Sequence, residues 1–205
     1  MSMKFGRAAA AALVLAVAAP VIAPPAVAQS YSEGYTFLKA VKERDAEKVT
    51  ALVSRPGTTV VNTRDRGTGE TALHTMVRGR DYTWLSFLIG KGARVDIQNN
   101  AGDTPLNLAA QIGWTEGAEL ILARGGSVDL ANRRGETPLI LAVQRGDLAM
   151  TRLLLRGGAN PKKADNVAGY TALDYAKQAG RSPALLKLLE GQAAKPARGV
   201  AGPKL

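Results

Sequence analysis

Four glycines recur at a nearly constant interval in this 205-residue chain, and their spacing constrains its fold more than any other feature. Gly69, Gly102, Gly135 and Gly169 lie 33, 33 and 34 residues apart. Each is followed two positions later by a threonine and four positions later by a leucine. A catalytic motif needs one arrangement of groups and gains nothing from repetition. The spacing therefore predicts a chain built from copies of one structural unit of about 33 residues.

Each copy predicts two short helices. The threonine can cap a first helix by accepting a hydrogen bond from a free backbone N–H, and Pro105 and Pro138 follow it at the first helical position. Gly113 and Gly146 are expected to close these helices in the left-handed conformation. A second, apolar helix follows, with Asp147 as an expected cap. Helices of about eight to ten residues are marginal alone, so the copies must stack into a solenoid.

The heads of the copies, GETALH, GDTPLNLAA, GETPLILAV and GYTALDYA, closely resemble the ankyrin repeat. The resemblance implies an all-α solenoid of about five helix-turn-helix repeats with short β-hairpin loops. We expect the repeat domain at 29–191, with repeats at about 31–64, 65–97, 98–130, 131–164 and 165–191, and a flexible tail at 192–205. Two copies depart from the pattern, with Arg44 and Arg80 at the helix-ending glycine position. Arg80 and the extra residue in RDRGTG predict a longer helix end.

The first 28 residues have the three-part layout of a cleavable signal peptide. Lys4 and Arg7 precede an apolar run at 8–19, and small residues lead to an expected cleavage after Ala28. The alternative is a membrane anchor, but a spanning helix needs about 20 apolar residues, and Pro20 interrupts this run. We therefore expect export to the bacterial periplasm through the general secretory route, with no transmembrane segment after cleavage.

Charge and cysteine content bear on how the fold is stabilised and on the kind of partner that the protein binds. The chain has no cysteine, so no disulfide framework can stabilise an exported fold. It carries 27 Lys and Arg against 17 Asp and Glu, and the signal peptide takes Lys4 and Arg7 from the first count. The remaining excess of positive charge favours acidic partners without specifying which.

Candidate catalytic and metal-binding residues are few. His74 is the only histidine, and the resemblance places it where ankyrin repeats use a histidine for hydrogen bonds between loops. Residues 67–72, GTGETA, fit a dinucleotide-binding fingerprint loosely, but no apolar strand precedes them. Carboxylates such as Asp96 and Asp129 recur once per repeat, which spreads them along a ridge instead of gathering them in a pocket. We expect a non-enzymatic protein without metal or small-molecule cofactor.

The larger apolar side chains near the helix starts are expected to pack in the core or at its rim. Trp84 and Trp114 open second helices, and Met76 lies in a first helix. Trp114 stands at the position that Asp147 occupies in the next repeat, where a polar cap would be expected. It is therefore predicted to be partly exposed and to be a weak candidate for partner contact.

The resemblance also implies a binding surface, because ankyrin repeats usually hold a partner in a concave groove. Hairpin tips and the exposed ends of the first helices line that groove. By position, the tips supply Asn100, Ala101, Asp103, Arg133, Arg134, Glu136 and Tyr170, and the helix ends supply Arg78, Gln111, Ile112, Gln144, Arg145 and Gln178. Four arginines of this set would share one face, and arginine suits interface hot spots and bidentate capture of carboxylates. The alternative interpretation is a solvated basic surface.

These features favour a monomeric protein–protein interaction module that binds an acidic patch of another envelope protein. A second class is the binding of a polyanion, either nucleic acid, which we consider the less expected, or a phosphorylated glycolipid. The two differ in salt dependence, because polyanion affinity falls with each phosphate that the protein neutralises.

Overall fold

The computed structural model of the chain describes residues 26–178, 180 and 183–193. The expected signal peptide lies outside these residues except for 26–28, and the expected tail lies outside them from residue 194 onward. No helix among the described residues has both the length and the hydropathy needed to cross a bilayer.

Ten α-helices and one 3₁₀ helix, Val60–Asn62, make up the described regular structure, which confirms the all-α solenoid. The α-helices follow one another as five pairs: α1 (Ala26–Glu43) with α2 (Ala46–Val53), α3 (Ala72–Arg78) with α4 (Tyr82–Gly90), α5 (Pro105–Ile112) with α6 (Thr115–Ala123), α7 (Pro138–Arg145) with α8 (Leu148–Arg156), and α9 (Ala172–Gln178) with α10 (Pro183–Ala193). Each predicted repeat holds one pair, although α1 begins and α10 ends outside the predicted bounds. The only β-bridge among these residues joins Ala164 to Thr171.

The helix ends follow the predicted chemistry. The Thr104 and Thr137 hydroxyls accept hydrogen bonds from the backbone N–H groups three residues later, at 3.1 and 3.3 Å. Gly113 and Gly146 close α5 and α7 in the left-handed conformation, with φ of 69° and 77°. The Asp147 carboxylate accepts from the first turn of α8 at 2.9 Å. Local capping therefore fixes where these helices begin and end.

Arg44 and Arg80 replace the closing glycine without lengthening the helices. They adopt positive φ values of 58° and 50°, and α3 ends at Arg78, one residue shorter than α5 or α7. The predicted longer helix end is therefore wrong, because Arg80 itself takes the left-handed conformation. That conformation costs a non-glycine residue about 1–2 kcal/mol. Hydrogen bonds to the next repeat offset this cost: Arg44 donates to the Asp81 carboxylate at 2.9 Å, and Arg80 to the Ile112 carbonyl at 2.6 Å.

The core is a continuous layer between two rows of stacked helices. First helices contact first helices along the chain, and second helices contact second helices. Ala109, Ala142 and Ala176 are fully buried where the first helices meet, and their small side chains allow a close approach. Phe37 of α1 and Leu189 of α10 extend the apolar core to the two ends of the stack.

Trp114 is buried, which corrects the prediction that it is partly exposed. Its exposed fraction is 5%, and a Cβ on Gly117 would lie 2.1 Å from the indole ring. The missing side chain at Gly117 therefore makes the space that the ring fills. Met76 is also buried, and Trp84 packs edge-on against Phe87 with ring centroids 5.5 Å apart, which confirms the packing expected of both residues.

Candidate functional site

Four loops precede the first helices α3, α5, α7 and α9, and each is built on an aspartate or asparagine. These residues are Asp65, Asn99, Asn132 and Asp165. In each loop the backbone N–H of that residue donates to the carbonyl of the residue that follows the repeat glycine, at 2.8–3.0 Å. Its side-chain oxygen accepts backbone N–H groups two or more residues later. The four loops are therefore closed by the same two kinds of hydrogen bond, in two lengths that differ by one residue.

The turn-forming residues were missed in reading the sequence, although a signal for them was present. Asp65, Asn99, Asn132 and Asp165 stand three or four positions before the repeat glycine in every copy. Burial alone would raise the pKa of the Asp165 carboxyl, but backbone N–H donors in its own loop, those of Ala168 and Val167 first, hold that pKa below its ordinary value. The carboxylate therefore stays charged and keeps the loop closed.

Backbone hydrogen bonds join each loop to the next. Asn100 N–H donates to the Thr68 carbonyl at 2.9 Å, Arg133 N–H to the Ala101 carbonyl at 3.1 Å, and Asn166 N–H to the Arg134 carbonyl at 2.8 Å. At Gly102, with φ of 84°, an added Cβ would lie 2.6 Å from the Arg133 nitrogen. The tips therefore form one row whose spacing is set by the backbone.

His74 ties the end of one loop to the next loop, as the sequence predicts. Its Nδ1 accepts the backbone N–H of Thr71 at 3.1 Å. The proton must therefore sit on Nε2, which donates to the Asp103 carbonyl at 2.9 Å. Asn107 repeats the arrangement one repeat later, accepting from Thr104 N–H at 3.0 Å and donating to the Glu136 carbonyl at 3.3 Å. Burial lowers the pKa of His74, which favours the neutral ring.

Loop tips and helix ends meet in the folded chain. Glu70 in the first loop pairs with Arg78 at the end of α3 over 2.6 Å. Glu136 in the third loop accepts from Gln144 at the end of α7 over 3.2 Å and pairs with Arg134 over 2.7 Å. The two classes of residue predicted for the groove thus meet at the first and third loops. We call the surface made by the loop tips and the C-terminal ends of α3, α5, α7 and α9 the inner face.

Glu136 supports this surface from within and cannot serve as the partner contact that the sequence suggested. Its exposed fraction is 7%, and its carboxylate accepts hydrogen bonds from Asn132, Arg134 and Gln144. Burial alone would raise its pKa, but these three donors lower that pKa. A buried carboxylate with three donors is already satisfied by the chain, so its role is to hold the side chains around it.

The polar network around Glu136 continues into the fourth loop. Burial raises the pKa of Tyr175, and so does the nearby Asp165 carboxylate, while Gln144 acts in the opposite direction. Tyr175 in turn packs edge-on against Tyr170 with ring centroids 5.6 Å apart. Tyr170 is thus oriented at the end of the row of tips by contacts inside the chain.

The other predicted contact residues differ in their burial and in whether they form hydrogen bonds within the chain. Asp103 and Ile112 are half-buried, and Asp103 accepts from Asn132 at 3.0 Å. Asn100 is exposed but donates to the Gly67 carbonyl at 2.8 Å. The remaining members of the predicted set are exposed, apart from half-buried Gln144: Arg78, Ala101, Gln111, Arg133, Arg134, Arg145, Tyr170 and Gln178.

Arg133 and Arg145 differ from Arg78 and Arg134 in their electrostatic state. Arg78 and Arg134 are ion-paired within the inner face. Within the part of the chain that the structure describes, neither Arg133 nor Arg145 belongs to an ion pair. Arg145 lies against the end of α5, where a Cβ on Gly113 would be 2.4 Å from its Nε. The Asp147 carboxylate lies beside the same Cβ position, at 3.0 Å, so Arg145 is near a carboxylate with which it forms no ion pair. Two of the four predicted arginines therefore form no ion pair among the described residues.

Two recesses that the sequence did not predict adjoin the row of tips. The N-terminal recess, about 840 Å³, lies between α1 and the first loop, and its lining includes Tyr35, Leu38, Val60 and Arg64. The loop recess, about 390 Å³, is lined by Arg64, Gln98, Asn99, Gly102, Ala131, Asn132 and Arg133. Arg64 belongs to both linings. No group of three or more histidine or acidic residues in the described ranges is arranged to hold a metal ion.

One comparison with known proteins covers most of the chain. The model of the family described as ankyrin repeats (3 copies) matches at residues 37–132 and again at 114–198. The two matches overlap. They include the four loops, every predicted contact residue and all five helix pairs, except residues 26–36 of α1.

Proposed function

Because the chain belongs to the ankyrin repeat family, whose members are generally protein–protein interaction modules without catalytic activity, we propose that it binds an acidic protein partner in the periplasm. The partner would lie in the concave groove, against the inner face. Binding requires no chemistry from the chain beyond the presentation of a fixed surface. The energy would come from a few arginine and aromatic contacts, as is usual in protein interfaces.

The observation that carries this proposal is that Arg133, in the row of tips, and Arg145, at the end of α7, form no ion pair among the described residues. Arg133 follows Asn132, whose side chain shapes the third loop, and its backbone N–H is bonded to the second loop at 3.1 Å. A side chain on a fixed backbone loses less freedom on binding than one on a mobile loop. A planar guanidinium without an internal partner is well suited to a carboxylate of another protein.

The proposed contact set differs from the predicted one in its roles. Arg133 and Arg145 would make the charged contacts, and Tyr170 would supply an aromatic anchor at the C-terminal end. Arg78 and Arg134 would contribute less, since their partners inside the chain already neutralise them. Gln111, Ile112 and Gln178 would complete the surface at the helix ends, with Asn100 and Asp103 at the edge of the second loop.

A partner-capture experiment tests the proposal. A photo-crosslinking amino acid at Gln111, which is exposed at the end of α5, should yield one dominant adduct in cells that express the chain. The double variant R133E/R145E should lose that adduct, because both substitutions reverse a charge that makes no ion pair within the chain. Arg152→Glu is the matched control, since Arg152 is an exposed residue of α8 in the layer of second helices. An equal yield of the adduct from R133E/R145E and the control would refute the proposed surface.

Export is a separate part of the proposal and rests on the signal-like first 28 residues. Cleavage after Ala28 would remove three residues of α1 and leave its described buried residues, which lie at 34–41. The intact mass of the protein from a periplasmic fraction should match a chain whose first residue is Gln29. A protein that retains Met1 and remains in the cytoplasm would contradict export without bearing on the inner face.

Polyanion binding is the alternative that the same two arginines leave open. The logarithm of the affinity for a nucleic acid or a phosphorylated glycolipid would fall steeply and linearly with the logarithm of the salt concentration. An interface with a protein, which also buries apolar groups, should keep more of its affinity. Titrations at 50 and 300 mM salt, with the captured partner and with a single-stranded oligonucleotide, distinguish protein binding from polyanion binding by how much each affinity falls.

A further inference from the structure

We propose that the inner face extends past the predicted residues to α1 and that its N-terminal end binds an extended acidic segment of the partner. An apolar side chain of that segment would occupy the N-terminal recess. A neighbouring Asp or Glu side chain would lie in the loop recess between Arg64 and Arg133. This inference rests on the proposed function and adds a subsite and the chemistry of the segment that fits it.

The N-terminal recess is large enough to take a large side chain together with the backbone that carries it. Its volume of about 840 Å³ lies in the range of small-molecule pockets. Leu38 and Val60 contribute nearly buried apolar walls, and Tyr35 is 72% exposed at the rim. An exposed tyrosine beside apolar side chains is typical of interface hot spots, because its ring covers apolar area while its hydroxyl can stay hydrated.

The acidic groups of this lining are already used by the chain. Glu33 pairs with Arg55 over 2.6 Å. The Asp65 carboxylate is turned into the first loop, where it accepts from Gly67 N–H and from the N–H and hydroxyl of Thr68 at 2.9–3.0 Å. The Thr68 donors hold the pKa of Asp65 below its ordinary value. Neither carboxylate is therefore placed to bind a cation, and the lining favours an apolar or acidic side chain of a ligand.

The loop recess is polar, and its two charged side chains are both cationic. Its amide groups are committed: Gln98 Nε2 donates to the carbonyls of Gly102 and Ala131 at 2.7 and 2.9 Å. Asn99 and Asn132 hold their own turns. The arginines are therefore the groups in this recess that can bind a ligand.

Hydrogen bonds within the chain orient the Arg64 side chain for such a ligand. Its Nε donates to the Gly69 carbonyl at 3.2 Å and its Nη2 to the Asn100 side chain at 3.3 Å. These bonds fix the plane of the guanidinium while Nη1 has no bonded partner among the described residues. Arg133, across the recess, is likewise unpaired in this part of the chain. Two guanidinium groups without a carboxylate between them match a single carboxylate.

The two recesses together select a peptide segment over a small anion. They adjoin at Arg64, which lines both, and an extended segment would reach from one into the other. A free phosphate or carboxylate would use the loop recess alone and leave the N-terminal recess empty. Tip N–H groups of Asn100 and Arg133 are already bonded between loops, so the segment would be read by side chains and would not add a strand.

Selection from a phage-displayed library of random 12-residue peptides on the full chain tests this inference. Enriched peptides should carry Asp or Glu within a few residues of a large apolar residue. For a selected peptide made synthetically, Arg64→Glu and Tyr35→Ala in the chain should each weaken binding about tenfold or more, and so should Glu→Gln in the peptide. Arg152→Glu should leave the affinity unchanged. Arg64→Gln, checked for unchanged thermal unfolding, removes the charge without reversing it and should also weaken binding.

The outcomes separate this inference from the proposed function. Peptides that lose affinity with R133E/R145E but not with Arg64 or Tyr35 variants would overturn the extended subsite and leave the inner face standing. Peptides indifferent to all these substitutions would overturn both. Enrichment of peptides without acidic residues, no enrichment at all, or displacement of the peptide by millimolar inorganic phosphate with no effect of Tyr35→Ala would each contradict an acidic segment as the occupant.

Discussion

The Nε2 of His74 donates a hydrogen bond to the carbonyl oxygen of Asp103 over 2.9 Å, so a ring in one repeat supports the loop of the next. This bond requires the neutral ring, because Nδ1 must accept the backbone N–H of Thr71. A protonated ring would lose that acceptor and bury a charge. Glu70 and Asp103 favour the charged ring and Arg78 opposes it, but burial is the largest effect and lowers the pKa of His74.

Stability should therefore depend on pH through His74. Because its pKa is lower in the folded chain than in the unfolded chain, the unfolded chain binds more protons as the pH falls below the ordinary value of 6.5. The free energy of unfolding should be highest above that pH and decline below it, by at most about 1.4 kcal/mol per pH unit for one proton. Urea unfolding from pH 7.5 to 5.5, above the range where ordinary carboxyls titrate, measures this.

The control for that experiment is supplied by the chain itself. Asn107 makes the same two contacts without a titrating group, so His74→Asn should keep the fold and lose most of the decline. An equal decline in His74→Asn would show that another group is responsible.

Gly117→Ala should destabilise the chain, although alanine normally stabilises a helix. The new Cβ would lie 2.1 Å from the Trp114 ring, and overpacking of this kind costs about 1–3 kcal/mol. Gly90→Ala, at the end of α4 with no atom near its added Cβ, should be neutral or stabilising. Urea unfolding followed by circular dichroism compares the two; equal stability would argue against the buried indole.

In the Arg134–Glu136 pair, substitution of the buried Glu136 should lower the free energy of unfolding more than substitution of the exposed Arg134. Glu136→Ala removes the acceptor that Asn132, Arg134 and Gln144 share and should lower the free energy of unfolding by about 3 kcal/mol. Arg134→Ala removes a side chain that is 62% exposed and should cost under about 1 kcal/mol. Similar losses in the two variants would mean that Glu136 does not organise the third loop.

At position 80, where the arginine adopts the left-handed conformation, substitution by glycine should destabilise the chain less than substitution by alanine. Both substitutions remove the bond to the Ile112 carbonyl, but only glycine relieves the backbone conformation at φ of 50°. Arg80→Gly should therefore be more stable than Arg80→Ala by about 1 kcal/mol. If alanine equals glycine in thermal unfolding, the conformation is not strained.

The solenoid and most helix ends could be predicted from the sequence, because both depend on local patterns such as the threonine caps and closing glycines. Prediction failed where a neighbour in space decides the outcome. The absent side chain of Gly117 makes room for Trp114, and Glu136 is buried by donors from its own loop and from α7. The recesses at Arg64 could not be predicted for the same reason, since they lie between α1 and separate loops.

Arg133 and Arg145 of the inner face form no ion pair among the described residues and are proposed to bind a protein partner. Isothermal titration of the captured, purified partner against the wild-type chain, R133E/R145E and Arg152→Glu tests this proposal. We expect an affinity at least about a hundredfold weaker for R133E/R145E and an unchanged affinity for Arg152→Glu, with the same thermal unfolding in all three. Equal affinity for the wild type and R133E/R145E would contradict the proposal.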